Sequence, residues 1–342
     1  RSSIIDMPEV IEPTILERYQ DYHIVENINI IPCYMTSKQW IKYEEEYTRE
    51  KTRRLQQLGK KDIYSEGTFD YNIRTRQNCN IVYEDDSFRK GQDEEKKIFA
   101  YETMAKNGHF SYDRTLSEFS PKFFHILENM QRFINRGIPT GKILYYSDFR
   151  HDAGSEVFER ILIENGYEKF DSENENIEDL ISKNSIKKRY TFITGKESQE
   201  QRKINKEAFN HSNNTRGEYI HIILISSSGA EGISLKCVRQ VHIMEPFWNY
   251  IRVNQVLGRA IRMESHVDLP KEERNVEQYL YLTMLPEGNS IDEVFHSLKS
   301  LQWSEVSDIP MVDDGSTKDY LVKNHKDIYK VITKIISVKK AT

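Results

Sequence analysis

The nine residues NQVLGRAIR, Asn254 to Arg262, place three hydrogen-bonding side chains on one side of a helix. At about 100° per residue, Gln255, Arg259 and Arg262 fall within roughly 60° of one another, and Val253, Val256, Leu257, Ala260 and Ile261 gather opposite them. Two guanidinium groups three residues apart, with an amide one turn earlier, form a planar donor array that fits two oxygens of a phosphoryl group. Such an array can stabilise phosphoryl transfer on a nucleotide held by a different domain. The same pattern also describes an amphipathic helix that turns its arginines to water. Asn249 stands before it as a candidate N-cap.

A second stretch, SSSGAEGISL from Ser226 to Leu235, has glycines on both sides of Ala230 and Glu231. Gly229 and Gly232 let the backbone approach a ligand closely, and Ser227 and Ser228 supply hydroxyls beside it. The loop suits contact with a phosphate or sugar, and it equally suits a tight strand-to-helix turn. Glu231 reads as a functional carboxylate or as a helix cap. Trp248 reads as packing beneath the arginine helix or as a platform for a base.

The chain does not carry the pattern that would cradle its own nucleotide. GxxxxGK[ST] is absent. GIPTGKI, residues 137 to 143, is one residue short and ends in Ile where a hydroxyl should follow, and ITGKES lacks the earlier glycine. The acidic DEEK at 93 to 96 follows no apolar strand. The arginine array therefore faces a nucleotide that these residues do not hold.

The elements that must position these groups alternate. A helix-like stretch from Pro121 to Asn135 leads to KILYYS at 142 to 147, followed by a helix over 155 to 165 and the acidic loop DSENENIED. RYTFIT (189 to 194), a helix over 198 to 209, YIHIILIS (219 to 226), QVHIME (240 to 245), the arginine helix and EQYLYLTML (277 to 285) complete the series. Short β-rich runs separated by helix-length segments predict crossover connections and an α/β, doubly wound parallel sheet. Ligands then bind on the loops after the strands, here DFRHDAGS, GKES, SSGAEGIS and PFWN.

Before that core, residues 1 to 27 read as a lead-in, and NINIIPCYM as a strand that Pro32 confines to an edge or end. Thr36 with Gln39 gives a capping-box signature for a charged helix running to about Leu58. Residues 59 to 120 are polar and weakly periodic, the pattern of an insertion. Residues 28 to 305 are expected as one domain, and 306 to 342 as a C-terminal helical extension. In that extension Leu321, Ile328, Val331 or Ile332, and Ile335 form an apolar stripe, and a further helix is expected from Ser290 to Lys299.

Composition narrows the class. With 37% hydrophobic and 30% charged residues the 342-residue chain reads as soluble and globular, and a formal charge of −5 argues against a surface coated in positive charge. A local basic groove could lie at Lys187, Lys188 and Arg189, or at Arg49, Lys51, Arg53 and Arg54; both also read as solvated faces. Cys33, Cys79 and Cys237 make neither a CxxC pair nor an even set, so no zinc site or disulfide framework is indicated. No apolar run approaches the roughly 18 residues of a membrane span. The sequence begins at Arg1 without a methionine, which fits a piece of something longer.

The order of these motifs resembles superfamily 2 helicases of the Swi/Snf-like branch. ILISSSGAEGISL through NQVLGRAIRMESH resembles motifs V and VI, KILYYSDF resembles motif IV, and YTFITGKESQEQRKINKEAFN the strand after it. IPCYMTSKQWIKYEEEY resembles the segment that opens the second lobe. GAEGISL, a WN after an apolar strand, and QxxGRxxR together look most like the poxvirus and asfarvirus early-transcription and nucleoside-triphosphatase helicases. The likeness covers about residues 28 to 48 and 140 to 300, and the motifs of a first lobe are missing.

The resemblance implies a RecA-like C-terminal lobe of an ATP-dependent helicase, inactive alone because its nucleotide-binding lobe lies elsewhere. Arg259 and Arg262 would reach the nucleotide phosphates, positioned by Gln255. Gly229, Glu231 and Gly232 would couple that cleft to the strand. Ser147, Asp148, Thr194, Gly195, Ser227, Ser228 and Arg202 would lie at the nucleic-acid backbone. ATP and Mg2+, held mainly by the other lobe, are the implied cofactors. DNA or RNA, that other lobe and viral transcription machinery are the implied partners, in a cytoplasmic factory or virion. A non-catalytic module docking a transcription or packaging partner through residues 40 to 120 is the main alternative. A transferase using His151, Asp148 or Glu231 is a more distant one.

Overall fold

The computed structural model describes residues 9–10, 28–58, 73–91, 93–134, 141–226, 233–246, 250–284 and 286. Its first part contains strands β1 (Glu9–Val10) and β2 (Asn29–Tyr34) and helices α1 (Ser37–Leu58), α2 (Ile73–Asn78), α3 (Phe88–Gly91), α4 (Glu94–Lys106), α5 (Leu116–Phe119) and α6 (Pro121–Ile134). Then strands and helices alternate: β3 (Lys142–Ser147), α7 (Ser155–Glu164), β4 (Glu168–Lys169), α8 (Ile177–Ser182), β5 (Arg189–Ile193) and α9 (Gln199–Phe209). β6 (Ile222–Ser226), β7 (Val238–Ile243), α10 (Tyr250–Ala260) and β8 (Asn275–Met284) follow. The expected helices over 290–299 and 318–340 lie outside the described residues, as do the glycine loop at 227–232 and Phe247, Trp248 and Asn249.

The strands pair in the order β1-β8-β7-β3-β6-β5-β4, with β2 also against β8, and every pairing is parallel. The sheet is doubly wound, as expected. From β3 the chain crosses to the β4 edge, returns through β5 to β6, then passes β3 to lay down β7 and β8. The order reverses around β3, so the C-terminal ends of β3, β6 and β7 lie side by side at the position where open parallel sheets bind ligands. Pro32 sits on β2, opposite Leu282 of β8. With β2 bonded to the sheet through β8, the missing N–H can face outward.

Continuous burial explains the unbroken apolar strands. Every residue of β3, β5 and β6 is buried, because helices cover both faces of a parallel sheet. Alternation divides the side chains: Ile143 and Tyr145 join one core cluster with α4, α6 and α7, and Leu144 and Tyr146 join the other with α8, α9 and α10. Residues 81–119, part of the stretch read as a polar insertion, supply Ile81, Val82, Tyr83, Tyr101, Met104 and Phe110 to the first cluster. The DEEK segment is the start of α4, with Asp93 as its N-cap.

The capping box expected at α1 forms by half. Thr36 Oγ1 accepts the Gln39 N–H at 3.2 Å, but the Gln39 amide donates instead to the Asn78 carbonyl at 2.8 Å, fastening α1 to α2. Cys33, Cys79 and Cys237 are buried free thiols, and burial pushes the Cys33 thiol up to about 12.

Candidate nucleotide and nucleic-acid interface

Helix α10 forms over Tyr250–Ala260 and ends two residues before Arg262, so the helical phase expected for Gln255 and Arg259 holds but does not extend to Arg262. Val253, Val256, Leu257 and Ala260 are buried in the second cluster, while Gln255 is exposed and Arg259 and Arg262 are half-buried. Past its C-terminus the chain is knitted to β7. Ser265 Oγ donates to the Ala260 carbonyl at 3.2 Å, the Cys237 N–H donates to the Ser265 carbonyl at 2.8 Å, and His266 Nε2 donates to the Val238 carbonyl at 2.7 Å. The helix is thus held to the sheet near the turn that carries Arg259.

The arginines of this segment differ in how they are spent. Arg262 Nε donates to the Gly258 carbonyl at 2.7 Å, and its Nη1 donates to Ser234 Oγ, so Arg262 ties the helix to the residues just after the glycine loop. Arg252 Nε donates to Tyr146 Oη at 3.2 Å. Arg259 Nε is buried and has no hydrogen-bond partner among the described residues. An unpaired buried donor on a cation is costly, and an incoming anion would satisfy it.

Ser147 and Asp148 do follow β3 at the ligand edge, but both are turned to structural use. Ser147 is fully buried and its hydroxyl donates to Glu245 Oε1 at 2.8 Å. Asp148 accepts from Tyr146 Oη at 2.7 Å and lies 3.6 Å from both Arg76 and Arg252. A carboxylate so committed, and of the same sign as a phosphodiester, corrects the expectation that Asp148 grips a strand; the buried Ser147 hydroxyl has no free face to offer one either.

The loop after β5 is more open. Thr194 is buried, with its N–H and hydroxyl donating to the Glu197 carboxylate at 2.6 and 2.9 Å. Gly195 is exposed. Arg202, half-buried on α9, donates from Nε to the Glu197 carbonyl at 3.0 Å. Ser227, Ser228, Gly229, Glu231 and Gly232 lie outside the described residues. His151 is engaged by Glu156 at 2.8 Å.

Sequence reading missed the group that organises the strand ends. Glu245, two residues past β7, accepts from Asn80 Nδ2 at 2.6 Å, from Ser147 Oγ at 2.8 Å and from the Asp148 N–H at 2.9 Å. Lys122, in the first turn of α6, donates to Asn80 Oδ1 at 3.2 Å and to the Met244 carbonyl at 3.1 Å. Burial pushes the Glu245 carboxyl up to about 7, against the pull of Lys122, and burial pushes the Lys122 ammonium down. The available signal was Lys122 on the apolar stripe of α6, four residues before Ile126. A charge on such a face requires a buried partner.

Parallel strands of this order, covered by helices on both faces and lending an arginine-bearing helix to the ligand edge, define a RecA-like α/β lobe. Residues 138–264 match the helicase conserved C-terminal domain. A protein of Acanthamoeba polyphaga mimivirus described as a candidate ATP-dependent RNA helicase is 32% identical over 225 residues, which is 65% of this chain and 34% of that protein. The termination factor NPH-I homolog of African swine fever virus is 35% identical over 214 residues, 52% of this chain and 29% of the homolog. Among solved structures, the C-terminal domain of the Sulfolobus solfataricus SWI2/SNF2 ATPase aligns with 92% of this chain and 96% of its own, at 13% identity and a TM-score of 0.43. Over residues 138–264 the chain carries a helicase conserved C-terminal domain. The chain spans about a third of the length of the curated relatives it matches.

Proposed function

We propose that this lobe is one half of an ATP-driven nucleic-acid translocase that serves viral transcription. The observation that carries the reading is Arg259, a half-buried guanidinium on α10 whose Nε has no partner among the described residues. ATP held by a second lobe would draw Arg259 into contact with its phosphates, and Gln255 one turn earlier would steer it. Arg262, latched to Ser234, would transmit closure to Gly229, Glu231 and Gly232, which would couple the cleft to the strand, with the hydroxyls of Ser227 and Ser228 nearest that strand. Thr194, Gly195 and Arg202 would meet the strand's backbone, giving sequence-tolerant and salt-sensitive binding. Alternating closure and release would then step the strand.

The descriptions of the relatives, as an ATP-dependent RNA helicase candidate and a termination factor homolog, support ATP, nucleic acid and transcription as the setting. The magnesium that accompanies ATP is expected to be held mainly by the other lobe. This chain alone is expected to hydrolyse no ATP. A cytoplasmic viral factory or the virion is the expected location, testable by fractionation.

The test is nucleic-acid-stimulated ATPase of the full-length protein with Arg259→Ala and Arg262→Ala, each checked by thermal melting. Arg259→Ala is expected to lower kcat about 1,000-fold with nucleotide binding retained, and Arg262→Ala to lower it less. Undiminished turnover in both would favour the docking-module alternative. That alternative draws on Ile41, Ile98 and Phe99, which are exposed within residues 40–120.

A further inference from the structure

Three elements far apart in sequence converge on the Asp148 carboxylate. Its Oδ1 accepts from the Tyr146 hydroxyl at 2.7 Å and lies 3.6 Å from Arg252 Nη2 on α10. Its Oδ2 lies 3.6 Å from Arg76 Nη2 on α2, and the Arg76 guanidinium also rests over the Phe149 ring at 4.9 Å. Arg252 Nε donates to Tyr146 Oη, so the bonds run in one direction, from arginine to phenol to carboxylate. Behind it, the Asp148 N–H donates to Glu245, which Asn80 of the helical layer also holds. The carboxylate side chain is only 12% exposed, which strengthens its pull on both cations.

Arg252 precedes Arg259 by seven residues, two turns of the same helix. It therefore lies on the same face, about 10 Å away along the axis. A rigid helix pinned at Arg252 and knitted to β7 beyond Ala260 has little freedom to tilt, and its tilt decides where the Arg259 guanidinium points.

We propose that Asp148 is a positioning residue for Arg259: it clamps Arg252 at the start of α10 and, through Arg76, fixes that helix against the layer that α2 belongs to. This inference rests on the translocase reading and deepens it, because it makes the helical layer an input to the nucleotide cleft. Any partner or strand that shifts α2 pulls on Arg76, and the displacement passes through one carboxylate to the arginine helix. Removing the charge does more than cut a bond, since it takes away the carboxylate that both Arg76 and Arg252 approach.

The experiment is nucleic-acid-stimulated ATPase of the full-length protein carrying Asp148→Asn, alone and combined with Arg259→Ala. Asparagine keeps the shape and an acceptor for Tyr146 but removes the charge. The expected result is a fall in kcat of about tenfold with KM for ATP changed less than twofold, since small misplacements of a transition-state contact cost this much or more. In the Arg259→Ala background the same change is expected to cost less than twofold, because the group being positioned is gone. Arg252→Gln, which strands no buried charge, is expected to show the same pattern and serves if Asp148→Asn does not fold. Losses that multiply in the double variants would show a general structural role and overturn the positioning role alone. A wild type without stimulated ATPase would overturn the translocase reading, and this inference with it.

Discussion

Two buried hydrogen-bond networks meet strand β7, and they are built to opposite ends. One runs across the sheet face: Asn129 Nδ2 donates to Tyr281 Oη at 3.0 Å, Tyr281 bonds His242 Nδ1 at 2.7 Å, and His242 Nε2 bonds Gln240 Oε1 at 3.0 Å. Gln240 then donates to Glu277 Oε2 at 2.8 Å, which also accepts from Tyr279 Oη at 2.7 Å. Burial pushes the His242 imidazole down to about 3, so it stays neutral, donating from Nε2 and accepting at Nδ1. That ladder runs between β7 and β8 and reaches α6 through Asn129. The network at the strand ends instead holds Lys122, Glu245, Asp148 and two arginines, and opens to a half-exposed helix. Buried between two paired strands, the first fixes strand register; connected to the surface through its arginines, the second can carry a displacement.

Breaking the ladder should therefore cost stability before anything else. His242→Phe preserves the ring stacked on Tyr279 at 5.0 Å but leaves the Tyr281 hydroxyl and the Gln240 carbonyl each short of a partner. A loss of about 2 to 4 kcal/mol is expected from two unsatisfied buried groups, read from urea denaturation. The deficit should be smaller at pH 6 than at pH 8 by up to about 1 kcal/mol, because below about 6.5 the unfolded chain protonates a histidine that burial keeps neutral in the fold. A cost under about 0.5 kcal/mol would remove the ladder from the list of stabilising features.

The strand-end network should respond to pH as well. The Glu245 carboxyl is raised from 4.5 to about 7 in the folded protein, so between those values the folded state keeps a proton that the unfolded chain releases. Stability contributed by this group is present below pH 4.5, declines as pH rises through the window, and is lost above 7. Glu245→Gln removes the titration. Its stability relative to wild type should therefore rise by about 1 to 3 kcal/mol between pH 5 and pH 8. Buried histidines such as His221, pushed down to about 4 by burial, act in the opposite direction but equally in both proteins, so the difference isolates Glu245. A difference that stays flat with pH would mean that the carboxylate is stabilised as an ion by Lys122 and the loop.

What could be read in advance follows from the range of the forces involved. β3, β5, β6 and α10 announce themselves because burial on both faces, or on one helical face, writes a period into consecutive residues. β4 has two exposed residues, Glu168 and Lys169, and carries no such period. Tyr83, Tyr101 and Phe110 share a core but reach it from short helices and loops, so their stretch reads as polar. Arg259 was legible because helix geometry alone aims it. Ser147 and Asp148 were placed on the correct edge, yet the direction of their side chains is decided by Glu245, Arg76 and Arg252, whose contacts span up to 106 residues. Asn80 meets Glu245 across 165 residues, a pairing that no local pattern records.

The basic clusters test the same distinction at its weakest. Lys187 bonds both oxygens of Glu168 at 2.7 and 3.0 Å, Lys188 lies over the Tyr167 ring at 5.6 Å, and the buried Arg189 donates to Ser185. Lys187 and Lys188 precede β5 and Arg189 begins it, so all three sit at the edge opposite the loops that carry Thr194 and Gly195. On the other cluster, Arg49 pairs with Glu46 on its own helix. If phosphate contact belongs to the strand-end edge, the double change Lys187→Ala and Lys188→Ala should shift nucleic-acid affinity less than twofold. It should also leave the salt dependence of binding unchanged, and cost under about 1 kcal/mol of stability for an exposed ion pair. A groove at this edge would instead lose about one unit of salt slope for each lysine removed, and the division between a supporting edge and a ligand edge would have to be redrawn.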